Sequence, residues 1–145
     1  MRTSEKGIDF IIREEGEVLT SYRCQAGVWT IGVGHTGKDV KPNMRITKEK
    51  SRELLKLDLR HFENVVDKNI KVDLTQDQFD SLVSFSFNVG GVAFADSTLV
   101  KKINANAPIE EIEEQFRRWN KGGGKVLPIL VRRREREIKL YKGEC

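Results

Sequence analysis

Apolar residues recur along this chain with two distinct periods. Ile8, Ile11 and Ile12 follow the i, i+3, i+4 spacing of a helix face, Thr3 or Ser4 stands where a cap is needed, and Gly16 supplies a stop. This predicts a first helix of about 12 residues. From Val18 to Gly34 the pattern changes to β-branched and aromatic residues broken by Gln25-Ala26-Gly27, as in a hairpin or small sheet, and residues 37–43 read as loop. Thr47 then caps a long helix with a stripe through Leu54, Leu55, Asp58, Phe62, Val65 and Val66. Thr75 and Gln78 make a capping-box pair ahead of Phe79, Leu82, Val83, Ser86 and Phe87, and Asn88-Val89-Gly90-Gly91 ends that helix. A short helix from Asp96 or Ser97 through Ile103, another behind Pro108, and a final one over roughly Leu130 to Lys142 complete the chain. The expected class is α+β, mostly helical, without internal repeats or low-complexity segments.

At 145 residues, 38% of them hydrophobic, the chain can build one domain around its own core. Lys and Arg number 26 against 22 Asp and Glu, and the net charge of +4 favours polyanionic partners such as nucleic acid, anionic lipid or an acidic wall polymer. Two cysteines, Cys24 and the terminal Cys145, argue against a disulfide framework; Cys145 is expected on a frayed end. The N-terminus carries no apolar run suited to secretion or membrane spanning. Only two histidines accompany these cysteines, which leaves no metal-ligand spacing.

Candidate chemistry concentrates in residues 14–37. Glu15 continues the stripe of Ile8, Ile11 and Ile12, which predicts an inward carboxylate, with Glu14 turned about 100° toward solvent. Desolvation and the negative helix end both disfavour ionisation there, the requirement for a general acid at neutral pH. Pairing of Glu15 with Arg13 or Arg23 is the alternative. In the hairpin, alternation places Trp29, Ile31 and Val33 on a packing face and Val28, Thr30, Gly32 and Gly34 on the other. That second face is nearly bare around one hydroxyl, so a ligand crossing it would meet Thr30; bulges in a twisted sheet also account for the glycines.

The pattern Glu15-x8-Cys24-x5-Thr30, with Glu15-Gly16 and the tract Trp29-Thr-Ile-Gly-Val-Gly-His35-Thr36-Gly37, closely resembles the phage-type lysozymes, or endolysins, of glycoside hydrolase family 24. Phe87-Asn88-Val89-Gly90, Arg118-Trp119 and the Arg132-Arg133-Arg134 tract extend the resemblance to the C-terminal part. It implies a muramidase cleaving the β-1,4 bond between N-acetylmuramic acid and N-acetylglucosamine in peptidoglycan, without metal or organic cofactor. It also implies two lobes around a glycan cleft: a small one over about 12–46, a connecting helix over about 47–70, and a helical one over about 71–145 that includes the first helix. The partner is then the peptidoglycan strand, met by a monomer without nucleic acid or stable membrane insertion. Such an enzyme waits in the host cytoplasm until membrane holes admit it to the wall.

In that family the acid's usual partner is a second carboxylate, where this chain has Cys24. A thiol of pKa near 8.5 supplies little charge at pH 7 unless its surroundings lower that value, and Arg23 should point away from it. The expectation is that Cys24 and Thr30 position the attacking water opposite Glu15, giving inversion. A thiolate nucleophile with retention, a lytic transglycosylase using one acid, and a glycan-binding module without catalysis are the alternatives. His35 is expected to hydrogen-bond between lobes at the substrate site and His61 to be exposed. Phe87 and Asn88 are the expected far-lobe cleft residues, Trp119 is core or sugar-stacking, and the arginine tract a solvated helix face.

Overall fold

The computed structural model describes residues 1–144, so Cys145 lies outside the described residues. Helix α1 (Glu5–Glu15) starts at Ser4, whose side chain accepts from Gly7 N, and ends at Gly16, φ 82°. A three-stranded antiparallel sheet follows in the order β1 (Val18–Arg23), β2 (Trp29–Gly32), β3 (His35–Thr36). Helix α2 (Lys48–Asn69) begins at its expected cap Thr47, and α3 (Gln76–Val89) carries the full Thr75/Gln78 capping box. Helices α4 (Gly91–Asp96), α5 (Thr98–Asn104) and α6 (Ile109–Arg117), a hairpin of β4 (Lys121–Gly122) and β5 (Lys125–Val126), and α7 (Pro128–Tyr141) complete the order.

The mostly helical α+β class stands, and two elements are additions to it. Gly90-Gly91 reads as a stop, yet Gly90, at φ 98°, closes α3 and opens α4 at once, so that Phe94 enters the core with no exposure. The β4–β5 hairpin has only two residues per strand, too few to show alternation.

Helix α3 is buried on nearly all sides, with Phe79, Leu82, Val83 and Phe85 fully enclosed. Such burial is worth about 1.5–3 kcal/mol for each large apolar side chain. Phe85 meets Phe116 and Trp119 edge-on at 5.4 and 5.7 Å. A second, smaller apolar cluster of Ile31, Val40 and Leu54 lies under the sheet. Neighbouring positions of α2 face different clusters: Leu54 joins the small one and Leu55 the large one. Consecutive helical residues diverge by about 100°, which is how one helix serves both.

Helix α1 is fastened to α3 at its start. The fully buried Asp80 carboxylate accepts from Ser4 N at 3.0 Å and from the Ser4 hydroxyl. Only a glycine fits at position 7, because a Cβ there would lie 2.5 Å from Asp80 Cγ. The far end of the same helix presents Glu15.

Candidate active site

Glu15 is the last residue of α1, and Arg133 Nη1 donates to its Oε2 at 2.6 Å. The two glutamates differ from their expected burial. Glu14 is the more enclosed, its side chain 6% exposed and held by Arg136, whereas the Glu15 side chain is 25% exposed. The helical stripe does not persist into the final turn, because arginines of α7 reach across and draw both carboxylates. Neither Arg13 nor Arg23 is the partner of Glu15 among the described residues.

The arginine tract is a solvated face only at Arg132 and Arg136, which are exposed. Arg133 is 5% exposed and Arg134 fully buried, both beside the buried Glu137. Arg133 Nε donates to Glu137 Oε2 at 3.1 Å, Ser84 Oγ donates to the same oxygen at 2.6 Å, and Arg133 Nη2 reaches Ser84 O at 3.2 Å. Burial pushes the Glu137 carboxyl up against the opposing pull of Arg134 and Arg133. Burial would lower Arg133, but Glu137 and then Glu15 outweigh it and raise its pKa, so the guanidinium at Glu15 is a fixed charge. The missed signal was in the helix period: positions 133, 134, 137, 138 and 141 fall on one face, and Ile138 and Tyr141 on that face are core residues.

On the sheet, Tyr22 pairs with Thr30 and Arg23 with Trp29, and Cys24 N donates to Val28 O at 3.0 Å across the turn. Val18 pairs with Gly32, which brings the strand directly after Glu15 alongside β2. Cys24 is a partly buried free thiol. The backbone of Val28, then that of Ala26, favours its thiolate, outweighs desolvation and holds the thiol below its ordinary value. Arg23 takes no part; its guanidinium stacks over Trp29 at 5.2 Å. Thr30 is buried, and its hydroxyl donates to Val28 O at 3.0 Å. Toward any water, then, it can only accept.

Gly32 is not bare. A Cβ there would lie 3.1 Å from Ser51 Oγ and 3.7 Å from Ile46 Cδ1, so the start of α2 covers it; Gly34, with nothing within 4 Å, is open. His35 has no nitrogen to offer a ligand: Nδ1 bonds Asp58 of α2 at 2.8 Å and Nε2 bonds Asp39 at 3.0 Å. Burial would lower its pKa, but the Asp58 and Asp39 hydrogen bonds prevail and raise it. His35 therefore ties the sheet to α2.

At the end of α3, Phe87 packs edge-on against Phe62 at 5.2 Å, and the exposed Asn88 accepts from Arg134. Asn88 shares a shallow concavity with Val89, Trp119, Lys121 and Leu130, so Trp119 has one edge in the core and a place at the surface. A larger concavity lies elsewhere, between the start of α3 and the end of α7, and contains none of the expected residues. No cluster of three or more potential metal ligands occurs among the described residues. His61 is exposed. The structure thus joins Glu15 to Arg133, Cys24 and Thr30 to the same Val28 carbonyl, and Asn88 to Arg134, while Gly32 meets Ser51 and the His35 nitrogens meet Asp58 and Asp39.

The protein-family profile described as phage lysozyme matches residues 12–137. The chain is 43% identical over 145 residues to the endolysin of Salmonella phage P22, covering 97% of this chain and 98% of that protein. It is 44% identical over 143 residues to the endolysin of Bacillus phage B103, where it spans 97% of this chain but only 54% of the relative's length. Among solved structures, a point mutant of P22 lysozyme superimposes with a TM-score of 0.92, covering 98% of this chain and 99% of that one at 43% identity. The muramidase domain of SpmX from Asticaccaulis excentricus gives a TM-score of 0.88 at 33% identity, covering 97% of each chain. A shared profile over most of the chain and a full-length likeness in both sequence and fold establish that the chain belongs to the phage lysozyme family.

Proposed function

We propose that this chain is an endolysin that hydrolyses the β-1,4 bond between N-acetylmuramic acid and N-acetylglucosamine of peptidoglycan, lysing the host from within. The observation that carries this reading is Glu15: a partly exposed carboxyl at a helix end, fixed at one oxygen by a buried arginine, on the segment that runs directly into the Cys24–Thr30 hairpin. The glycan lies between the sheet-bearing lobe and the helical lobe, with α2 holding the two apart.

Glycosidic cleavage needs a proton on the leaving oxygen and a nucleophile at the anomeric carbon. Glu15 delivers the proton through the oxygen that Arg133 leaves free. A water donating one hydrogen to Thr30 Oγ1 and the other to the Cys24 sulfur would aim a lone pair at the anomeric carbon. Transfer of that water's proton to the thiolate completes hydrolysis with inversion. Because surrounding groups already lower the thiol, a second reading stands beside this one, in which the thiolate attacks carbon itself and the configuration is retained. NMR of the first product anomer distinguishes them: an α-first product supports inversion, a β-first product retention.

The partner is the peptidoglycan strand and not nucleic acid; the burial of Arg133 and Arg134 leaves only Arg132 and Arg136 of the basic tract at the surface. No described helix is long and apolar enough to cross a membrane. We place the enzyme in the host cytoplasm until the membrane is permeabilised and thereafter on the wall, acting as a monomer. The test is clearance of purified murein by the wild type and by Glu15→Gln. Clearance lost in the variant supports the acid assignment, clearance retained overturns it, and absence of clearance by the wild type overturns the enzymatic reading.

A further inference from the structure

Arg134 is buried without exposure, yet its Nε and Nη1 make no hydrogen bond among the described residues; Nε lies 3.2 Å from Glu137 Oε1 in poor alignment. Its guanidinium sits 5.0 Å over the Phe85 ring, and Nη2 donates to Asn88 Oδ1. Enclosing such a cation is costly, and an apolar side chain of similar volume would serve the core as well or better. An apolar residue would leave the buried Glu137 with Arg133 alone, and it could not set the orientation of Asn88.

A free carboxamide presents either its oxygen or its NH2 group by a half-turn. Beside a guanidinium, which has no acceptor, only the oxygen can face inward, so the two Nδ2 hydrogens face away from Arg134. The concavity that Asn88 shares with Trp119 and Lys121 is thus bordered by an amide, an aromatic residue and a lysine. That combination suits an acyl oxygen carried beside the apolar face of a sugar.

We propose that Arg134 is a positioning residue for the glycan site, holding Asn88 Oδ1 so that the Nδ2 hydrogens donate to an acyl oxygen of the bound strand. This rests on the lysozyme reading above. Acetamido carbonyls and carboxylates both supply such an oxygen, and N-deacetylated glycan separates them.

The experiment measures KM and kcat on soluble murein fragments, with thermal melts, for the wild type, Asn88→Asp, Asn88→Ala, Arg134→Lys and the Asn88→Ala/Arg134→Lys double variant. Asn88→Asp still accepts from Arg134 but has no hydrogens to donate. Its melting temperature should hold while KM rises roughly tenfold, the size of one lost hydrogen bond, with kcat nearly unchanged. Arg134→Lys should raise KM in the wild-type background and not in Asn88→Ala. Wild-type KM in Asn88→Asp, or an equal effect of Arg134→Lys in both backgrounds, overturns the proposal. If Arg134→Lys does not fold, the Asn88→Asp result decides alone. If N-deacetylation removes the penalty of Asn88→Asp, the acceptor is the acetamido carbonyl; if the penalty persists, it is a carboxylate. Failure of the lysozyme reading shows separately, as a wild type that clears no murein.

Discussion

Arg133 and Glu15 are separated by 118 positions in sequence and by 2.6 Å in space, so the final helix supplies the cation that fixes the carboxyl at the end of the first. Arg133 is also held by Glu137 and Ser84, inside the core and away from water. The candidate acid is therefore positioned by the packing of α7 on α3 more than by its own helix.

The two partners should respond differently to removal. Arg133→Met strips a buried cation from Glu137 and is expected to cost about 3–5 kcal/mol in chemical denaturation. Glu15→Gln leaves the Arg133–Glu137 pair intact and, at a partly exposed site, should cost about 1 kcal/mol or less. Its murein-clearing rate should nevertheless fall by about 10²–10⁴-fold, the usual share of a general acid. A stability loss in Glu15→Gln as large as that in Arg133→Met would contradict this division.

Cys24 makes a prediction in pH. If the thiolate accepts the proton of water, activity rises with pH as the thiol ionises, and the lowered thiol places that rise below the ordinary thiol range. Cys24→Ser, which positions water but does not ionise, should keep part of the activity and lose the rising limb. Cys24→Asp, ionised across neutral pH, should be active and flat over the same interval. A wild-type profile without that limb would remove the thiolate from the chemistry.

His35 should make stability depend on pH. Its folded pKa is raised, so the Asp58 and Asp39 interactions contribute fully below about pH 6.5, its unfolded value, and are lost as pH rises through the folded one. Asp39 is lowered by the His35 hydrogen bond, so its contribution is present above about pH 4 and lost as pH falls. Thermal melts should show the stabilising window between those limits, and His35→Asn should flatten it. Because the histidine ties β3 to α2 and offers no free ring nitrogen, murein affinity at pH 6 should change little in the same variant.

Gly7→Ala tests how α1 is held. The added methyl would lie 2.7 Å from Asp80 Oδ2 and 2.8 Å from Thr3 Cγ2, which should cost about 1–3 kcal/mol by forcing α1 off α3. Elsewhere in a helix the same substitution stabilises, so a rise in melting temperature would refute the packing account.

Local chemistry determined much of this protein. Caps at Ser4, Thr47 and Thr75, the stripe of α2 and the β-branched run before Gly34 each specify their element with near neighbours alone, and the Glu15, Cys24 and Thr30 spacing pointed to the family before any fold was in view. Tertiary packing decided what those neighbours could not. The enclosure of Glu14 over Glu15, the cover of Ser51 over Gly32, the pairing of His35 with Asp58, and the burial of Arg133 and Arg134 all depend on residues far away in sequence. Hydrophobic period places a side chain on a face of its helix, whereas the fate of a charge on that face depends on which opposite charge or acceptor the fold brings to it.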